Sequence, residues 1–183
     1  MTKVILLDRD GVINYDSLHY IKSEEEFILI PESVEAIARL TKAGYTIGVA
    51  TNQSGVSRGL YSEEALLAIH QKMMRAIENA GGTIKAIEYC IHLPEMNCSC
   101  RKPQPGMLHA LAQKLQCSLK NVLFVGDRIS DIQVAHAVGA YPVMILSSMT
   151  DHLHLKSFSE VPIYDSLAAF VDFLLTNPDT KND

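Results

Sequence analysis

The chain has 183 residues, of which 48% are hydrophobic and 20% charged, and its 16 basic and 21 acidic residues give a net charge of −5. This length and composition predict one soluble globular unit with a proper core, and they exclude a disordered chain. The acidic balance argues against a nucleic-acid partner. No apolar run approaches the roughly 18 to 20 residues that cross a bilayer, so we expect no membrane span, no signal peptide and a cytoplasmic location.

Hydrophobic periodicity predicts short buried strands that alternate with amphipathic helices, which is typical of an α/β doubly wound parallel sheet. The predicted strands cover residues 4–7, 45–50, 84–90, 121–125 and 141–146. The predicted helices begin near Pro31, Ser62, Gly106, Ser130 and Leu167, at residue types that favour helix starts. The segment 147–165 has no clear pattern and stays unassigned.

The loops between these elements are too short to hold a large cap domain. We therefore predict a single domain over residues 1–176, followed by a frayed polar tail over residues 177–183. We also expect the protein to be a monomer.

Polar residues follow three of the predicted strands at the point where each strand ends. Asp8, Thr51 and Asp127 occupy these positions. In an open α/β sheet, ligands bind at the carboxyl ends of the strands. The sequence therefore predicts that reactive groups from three strands meet at one edge of the sheet.

The first of these strand ends carries two carboxylates, in the run Asp8-Arg9-Asp10-Gly11. Residues two apart in an extended segment point the same way, so Asp8 and Asp10 can face one site. Such a pair can bind Mg²⁺, with one carboxylate acting as nucleophile and the other carrying protons. Taken alone, the four residues are equally well explained as a turn that ends a strand.

Three further stretches have both a functional and a simpler explanation. The run from Thr51 to Gly55 offers hydroxyls, amides and backbone N–H groups to a phosphate, or it is a polar loop. Arg101 and Lys102 can neutralise phosphoryl charge, or they belong to a solvated surface. In the run from Gly126 to Asp131, Asp131 is either a second acid of the site or a helix cap.

Together these motifs, in this order, resemble the haloacid dehalogenase-like superfamily of aspartyl phosphotransferases over residues 3–146. The resemblance implies that Asp8 is the nucleophile and that Asp10 is the general acid and base. It implies that Thr51 and Lys102 bind and stabilise the phosphoryl group. It also implies catalytic Mg²⁺, bound by Asp8, the carbonyl group of Asp10 and Asp127.

The runs Asp8 to Asn14, Thr51 to Val56 with Arg58-Gly59, and Cys100 to Gly106 are similar to the D-glycero-D-manno-heptose-1,7-bisphosphate 7-phosphatases. This family resemblance implies removal of the 7-phosphate of a heptose bisphosphate, in the synthesis of the lipopolysaccharide core. The substrate contacts that it implies are Asp16, His19, Tyr20, Asn52, Gln53, Ser54, Arg58, Arg101 and Arg128. Histidinol-phosphate phosphatases share much of the pattern and are the main alternative.

Two ligand pairs, Cys90-x-His92 and Cys98-x-Cys100, lie close together in the sequence. Three thiolates and one imidazole suit a tetrahedral structural zinc ion, and the alternative is a chance crowding of ligand residues in a loop. We predict a small zinc-binding loop over residues 90–100 that places Arg101 and Lys102. Cys117 lies outside the cluster and is predicted to be a small buried side chain.

Two more distant functions are also compatible with parts of the sequence. A nucleic-acid 3′-phosphatase would use the same chemistry, but the net negative charge argues against it. A zinc-stabilised binding module without catalysis is possible in principle, but the complete set of motif residues argues against it. His70, His109 and His136 lie on predicted helices and are interpreted as core or surface residues.

Overall fold

The computed structural model of the protein describes residues 3–177, so the predicted tail lies outside the described residues except for Asn177. Over these residues the strands are β1 (Lys3–Leu7), β2 (Tyr45–Asn52), β3 (Ala86–Cys90), β4 (Leu123–Gly126), β5 (Tyr141–Ile145) and β6 (Ile163–Tyr164). The α-helices are α1 (Pro31–Lys42), α2 (Glu63–Asn79), α3 (Gly106–Leu115), α4 (Ile129–Ala137), α5 (His152–Leu155) and α6 (Leu167–Thr176). One turn of 3₁₀ helix covers Pro94–Met96.

The six strands form one sheet in the order β3-β2-β1-β4-β5-β6, and every neighbouring pair is parallel. The chain builds outward from β1 to β3 and then returns to place β4 on the other side of β1. The predicted doubly wound α/β fold is confirmed. Because the order in which strands are added to the sheet reverses between β1 and β4, a crevice forms at the carboxyl ends of these two strands, where such folds bind ligands.

The sheet is buried on both faces because successive side chains of a strand point to opposite sides. In β1, Ile5 and Leu7 pack into a core shared with α1, α2 and α6, whereas Val4 and Leu6 face α3 and α4. Apolar residues therefore fill the middle of the strands. Polar groups of the site are confined to the strand ends.

Local signals explain where several helices begin. Pro31 stands at the first position of α1, where its missing N–H is not needed. The hydroxyl of Ser62 accepts a hydrogen bond from the Ala65 N–H at the start of α2, as predicted. Several predicted strand boundaries were wrong by a few residues. For example, β4 begins at Leu123 because Asn121 has a left-handed backbone, with φ of 63°, which no strand accommodates.

The unassigned segment contains α5 and the edge strand β6, which pairs with β5 through Ile163 opposite Met144. A helix of four residues and a strand of two are too short to show a hydrophobic period. Their existence was therefore not predictable from pattern.

Cysteine and histidine positions mostly agree with expectation. Cys117 packs against the core beside α3, as predicted for a small hydrophobic side chain, but it is half-buried and not buried. His70 is buried on α2, and His109 and His136 are exposed.

Within residues 3–177, no helix combines the length and hydropathy that a membrane span requires.

Candidate active site

A cavity of about 520 Å³ opens at the carboxyl ends of β1, β2 and β4. It is lined by most of the predicted site residues, namely Asp8, Asp10, Asp16, Tyr20, Thr51, Asn52, Gln53, Ser54, Arg101, Lys102, Asp127 and Arg128. Of the predicted substrate contacts, His19 and Arg58 do not line this cavity, and their role stays a prediction. The edge of the sheet predicted from the strand ends is therefore the place where these groups meet.

Asp8 continues directly from β1. Its N–H donates to the carbonyl oxygen of Val125 at 2.8 Å, and its Oδ1 accepts from the N–H of Arg9 at 2.7 Å. The chain then turns sharply at Gly11, which has φ of 79°. A side chain at Gly11 would lie 2.2 Å from Oδ2 of Asp127, so glycine is required for β1 and β4 to bring their carboxylates together.

Lys102 is buried between two of these carboxylates. Its ammonium lies 2.9 Å from Oδ2 of Asp8 and 2.7 Å from Oδ1 of Asp131, and it donates to the carbonyl oxygen of Ala50 at 2.9 Å. Burial alone would lower the pKa of Lys102, but the charges of Asp131 and Asp8 raise it above its usual value. A permanent positive charge therefore stands beside the predicted nucleophile.

Asp131 fulfils both of its sequence interpretations. Its Oδ2 accepts hydrogen bonds from the N–H groups of Asp127 and Arg128, at 3.1 and 2.9 Å, and so caps the start of α4. Its Oδ1 binds Lys102 as described. A side chain at Gly126 would lie 2.3 Å from the Asp131 carboxyl carbon, so this glycine allows the carboxylate to approach the strand end.

The carboxylate oxygens of Asp8, Asp127 and Asp131 lie within 4.8 Å of one another, which suits a metal ion. Oδ1 of Asp131 is engaged in the ion pair with Lys102, whereas Oδ1 of Asp127 is buried and has neither a hydrogen bond nor an ion pair within residues 3–177. The other oxygen of Asp127 accepts from the hydroxyl of Ser147 at 2.6 Å. The unpartnered oxygen of Asp127 is available to a cation, while ligation of Mg²⁺ by Asp8, Asp127 and the carbonyl group of Asp10 stays a prediction.

Electrostatics supports the same interpretation. Burial, followed by the nearby charge of Asp131, raises the pKa of Asp127 to about 7. Burial also raises the pKa of Asp8, with the charge of Lys102 acting in the opposite direction. The ammonium of Lys102 pairs with Asp8 and Asp131, and Nε of Arg128 lies 3.6 Å from Oδ2 of Asp127. A divalent cation would supply further positive charge to these three buried carboxylates.

Asp10 lies on the other side of the cavity and is held by several donors. Its oxygens accept from Arg9, from Nδ2 of Asn14 at 2.9 Å and from Nε2 of Gln53 at 2.8 Å. Burial opposes ionisation, but the charge of Arg9 and these hydrogen bonds outweigh it and lower the pKa of Asp10. Nε2 of Gln53 also lies 2.9 Å from the hydroxyl oxygen of Thr51, which links the ends of β1 and β2. The free site therefore holds Asp10 as a fixed carboxylate.

The four predicted zinc ligands come together. The Sγ atoms of Cys90, Cys98 and Cys100 are 3.0 to 3.6 Å apart. Nδ1 of His92 lies 3.2 Å from Sγ of Cys100. These separations are near the edge of about 3.8 Å expected for a tetrahedron with zinc–sulfur bonds of about 2.3 Å. Burial would raise the pKa of Cys98, but the Arg101 N–H and neighbouring thiols bring it to about 6, which favours a thiolate. The cluster fits a structural zinc ion.

Two arginines flank the cavity. Arg101 follows the zinc loop directly and is tied to it, because its Nη1 donates to the carbonyl oxygen of His92 at 3.3 Å. Arg128 stands at the start of α4, and its Nη2 lies 2.7 Å from Oδ2 of Asp16 in the segment after β1. Both side chains line the cavity, so they can contact the part of a ligand that extends away from Asp8.

Sequence reasoning missed several groups that support the site. Ser147 and Thr150 follow β5 and bind Asp127 through its carboxylate and its carbonyl oxygen. The strand-end rule would have selected Ser147, since it follows a predicted strand. Tyr61, whose hydroxyl donates to Oε1 of Gln53 at 2.8 Å, has no comparable signal because its contact depends on how the loop before α2 folds back.

The fold and the site define a hydrolase of the haloacid dehalogenase-like class, and a family model described as HAD-hydrolase-like matches residues 99–170. A D-glycero-β-D-manno-heptose-1,7-bisphosphate 7-phosphatase from Pseudomonas putida is 48% identical over 94% of this chain and 99% of its own length. Its counterpart from Pseudomonas aeruginosa is 44% identical over 94% of this chain and 97% of its own. The chain belongs to this family of heptose-bisphosphate phosphatases.

A solved structure shows the same fold. The crystal structure of D,D-heptose 1,7-bisphosphate phosphatase from B. bronchiseptica, complexed with magnesium and phosphate, has a TM-score of 0.88 and 41% sequence identity to this chain. The match covers 96% of this chain and 99% of that one. The haloacid dehalogenase-like fold predicted from the motifs is confirmed.

Proposed function

We propose that this protein removes the 7-phosphate of D-glycero-β-D-manno-heptose 1,7-bisphosphate through an aspartyl-phosphate intermediate. The observation that carries the proposal is the buried pair of Asp8 and Lys102, 2.9 Å apart, which faces the cavity with Asp10. Membership of the heptose-bisphosphate phosphatase family supports the substrate. The β anomer is the one that these relatives are named for.

In the first step, a carboxylate oxygen of Asp8 attacks phosphorus and the bond between phosphorus and the sugar oxygen breaks. Asp10 gives a proton to that oxygen, so the sugar leaves as an alcohol. The negative charge of the bound phosphate raises the proton affinity of Asp10, which is ionised in the free site. In the second step, Asp10 takes a proton from water, the water oxygen attacks phosphorus, and phosphate leaves as Asp8 is regenerated.

The remaining groups stabilise charge. Lys102 stands beside the nucleophile, and Thr51 at the end of β2, which lines the cavity, binds a phosphoryl oxygen through its hydroxyl in this proposal. Mg²⁺, held by Asp8 and Asp127, supplies Lewis-acid stabilisation of the transferring phosphoryl group when it is bound. Arg101 and Arg128 provide positive charge for the second phosphate of the substrate at the mouth of the cavity.

The test is a panel of phosphate esters assayed with Mg²⁺, namely the α and β heptose bisphosphates, histidinol phosphate and a 3′-phosphorylated oligonucleotide. We expect kcat/KM for the β heptose bisphosphate to exceed that for histidinol phosphate and the oligonucleotide by more than about tenfold, since the second sugar phosphate, once anchored, stabilises the transition state. Both heptose anomers carry two phosphates, so the ratio of their kcat/KM values tests the preference for β after which the relatives are named. A preference for histidinol phosphate would replace the proposed substrate by the main alternative. No hydrolysis of any ester would indicate a binding module.

The matched control in this panel is Asp8→Asn, which keeps the size of the side chain and removes the nucleophile. It should retain the far-ultraviolet circular dichroism of the unmodified protein and lose turnover of every substrate. Retained turnover would exclude the aspartyl-phosphate route. A role in lipopolysaccharide core synthesis follows from the proposed substrate, while the cytoplasmic location and the monomeric state expected from the sequence stay predictions.

A further inference from the structure

A buried arginine lies directly behind Asp10. Arg9 is 0% exposed, and its Nε and Nη2 donate to the two oxygens of Asp10 at 2.8 to 3.1 Å. Its guanidinium carbon lies 5.4 Å from the centre of the Phe27 ring. A buried guanidinium with this many contacts has few orientations open to it, so its position fixes the position of the carboxylate that it binds.

The remaining nitrogen of this guanidinium meets a histidine from a distant part of the chain. Nη1 of Arg9 lies 3.2 Å from Nε2 of His70, in the middle of α2. His70 is 5% exposed, and burial together with the charge of Arg9 lowers its pKa to about 3. The neutral ring can therefore accept the Arg9 hydrogen bond at Nε2. Within this buried region, His70 gives the guanidinium an acceptor on the side opposite Asp10.

We propose that His70 is a positioning residue of the phosphatase reaction, which acts through Arg9 to hold the Asp10 carboxyl group in the orientation needed to protonate the leaving oxygen. This inference rests on the proposed function, because it assigns a partner to the acid of that reaction. Without an acceptor at position 70, one N–H of a buried guanidinium loses its partner. Arg9 then shifts toward other acceptors, and Asp10 shifts with it.

This role differs from a purely structural one in its dependence on the leaving group. A sugar or other alkyl alkoxide needs a proton as it leaves, whereas 4-nitrophenolate is a stable anion and needs little help. The value of kcat/KM reports the steps up to departure of the leaving group. A displaced acid therefore slows alkyl esters selectively, whereas general damage to the fold slows both classes alike.

The experiment compares kcat/KM for an alkyl phosphate and for 4-nitrophenyl phosphate in His70→Leu, His70→Gln and the control Met73→Leu. Met73 is a buried neighbour on the same helix, and its replacement preserves volume. For His70→Leu we expect kcat/KM to fall about tenfold or more for the alkyl phosphate and less than about threefold for 4-nitrophenyl phosphate. The loss for the alkyl phosphate is a part of the 10²- to 10⁴-fold acceleration that general acids contribute. His70→Gln, which has an acceptor oxygen, should restore most of the alkyl rate, and Met73→Leu should leave the ratio unchanged.

The ratio is measured on one preparation, so a fraction of unfolded protein cancels from it. A second variant, Arg9→Lys, should show the same selective loss, and adding His70→Leu to it should cause no further change in the ratio. Equal losses for both substrates in His70→Leu, or no rescue by His70→Gln, would overturn the proposal. Any alkyl phosphate that the unmodified enzyme hydrolyses can serve as the substrate. A wrong heptose assignment would therefore appear in the substrate panel and not in this ratio.

Discussion

The ammonium of Lys102 shows how much of this site depends on single buried charges. It binds Asp8 and Asp131 in a region that has almost no contact with solvent, and it reaches back to the carbonyl oxygen of Ala50 in β2. Carboxylates buried at this density are tolerated only because they are paired. The charge of Lys102 opposes the effect of burial on the pKa of Asp8, and Asp8 stays accessible from the cavity.

We predict that Lys102→Met destabilises the metal-free protein by about 3 kcal/mol, because it leaves Asp8 and Asp131 buried without their cation. Turnover should fall by more than about 10²-fold, since the charge beside the nucleophile is lost. Urea denaturation and steady-state assays measure the two effects. The control is Lys114→Met, which removes a partly exposed ion pair with Glu88 and should change stability by less than about 1 kcal/mol. Equal stability of the two variants would contradict the account of the buried pair.

At the scale of elements, the predicted zinc-binding loop over residues 90–100 lies between the end of β3 and the start of α3. The two cations of the site, Arg101 and Lys102, follow this loop directly in the chain. Arg101 contacts the loop at Sγ of Cys98 and at the carbonyl oxygen of His92. Lys102 is held next to it by two hydrogen bonds between its backbone and the side chain of Asn52. The loop thus supports Arg101 directly, whereas Lys102 is held by Asn52 of β2, and none of the four predicted zinc ligands lines the cavity.

Cys98→Ser tests this arrangement. We expect metal analysis to show loss of about one zinc ion per chain, because a hydroxyl is a poor replacement for a thiolate. KM for the heptose bisphosphate should rise about tenfold, equivalent to about 1.4 kcal/mol, as Arg101 loses its support. Cys117→Ser is the control, since this thiol lies outside the cluster, and it should keep the zinc and the KM. Zinc loss without a change in KM would show that the loop does not position Arg101.

At the scale of the whole molecule, the parallel sheet brings residues far apart in the chain to one crevice. Asp8 ends β1 and Asp127 follows β4, and these two strands are neighbours only because the chain reverses its direction of growth after β3. The resulting crevice is acidic. Its negative charge is buried in the folded chain and exposed to water in the unfolded chain, so it destabilises the metal-free fold.

The carboxyl group of Asp127 makes the stability of the metal-free protein depend on pH. Its pKa is about 7 in the folded protein and near 3.8 when exposed, so the folded state binds the extra proton between these values. This contribution to stability is present below pH 3.8 and is lost as the pH rises through 7. Without metal at pH 8, Asp127→Asn should therefore be more stable than the unmodified protein, by at least about 1 kcal/mol.

Mg²⁺ should reverse this order. At 100 times its dissociation constant, a ligand that binds only the folded state stabilises it by about 2.7 kcal/mol, and Asp127→Asn should lose most of this gain. Denaturant titrations at pH 8 with and without Mg²⁺ measure both effects. Mg²⁺-free buffer with a monovalent salt of equal ionic strength controls for screening. Equal stabilisation of both proteins by Mg²⁺ would show that Asp127 is not a ligand.

The class of fold and the main chemical groups can be predicted from the amino-acid sequence. Buried strands such as β1 are continuous apolar runs, and the residue that ends such a run is marked by its polarity, as Asp8 and Asp127 are. The zinc ligands were also visible, because both pairs lie within one short loop. These features are local, so the pattern of neighbouring residues is sufficient to predict them.

The pairing of these groups, in contrast, depends on tertiary packing. Asp131 proved to be both a cap and the partner of Lys102, and Arg9 met His70 across 61 positions of the chain. Cys117 proved half-buried, and β6 completed the sheet from a segment without any period. Such contacts depend on how helices and loops pack on the sheet. No local pattern encodes them, because the free energy of a buried pair is set by both partners and by the exclusion of water around them.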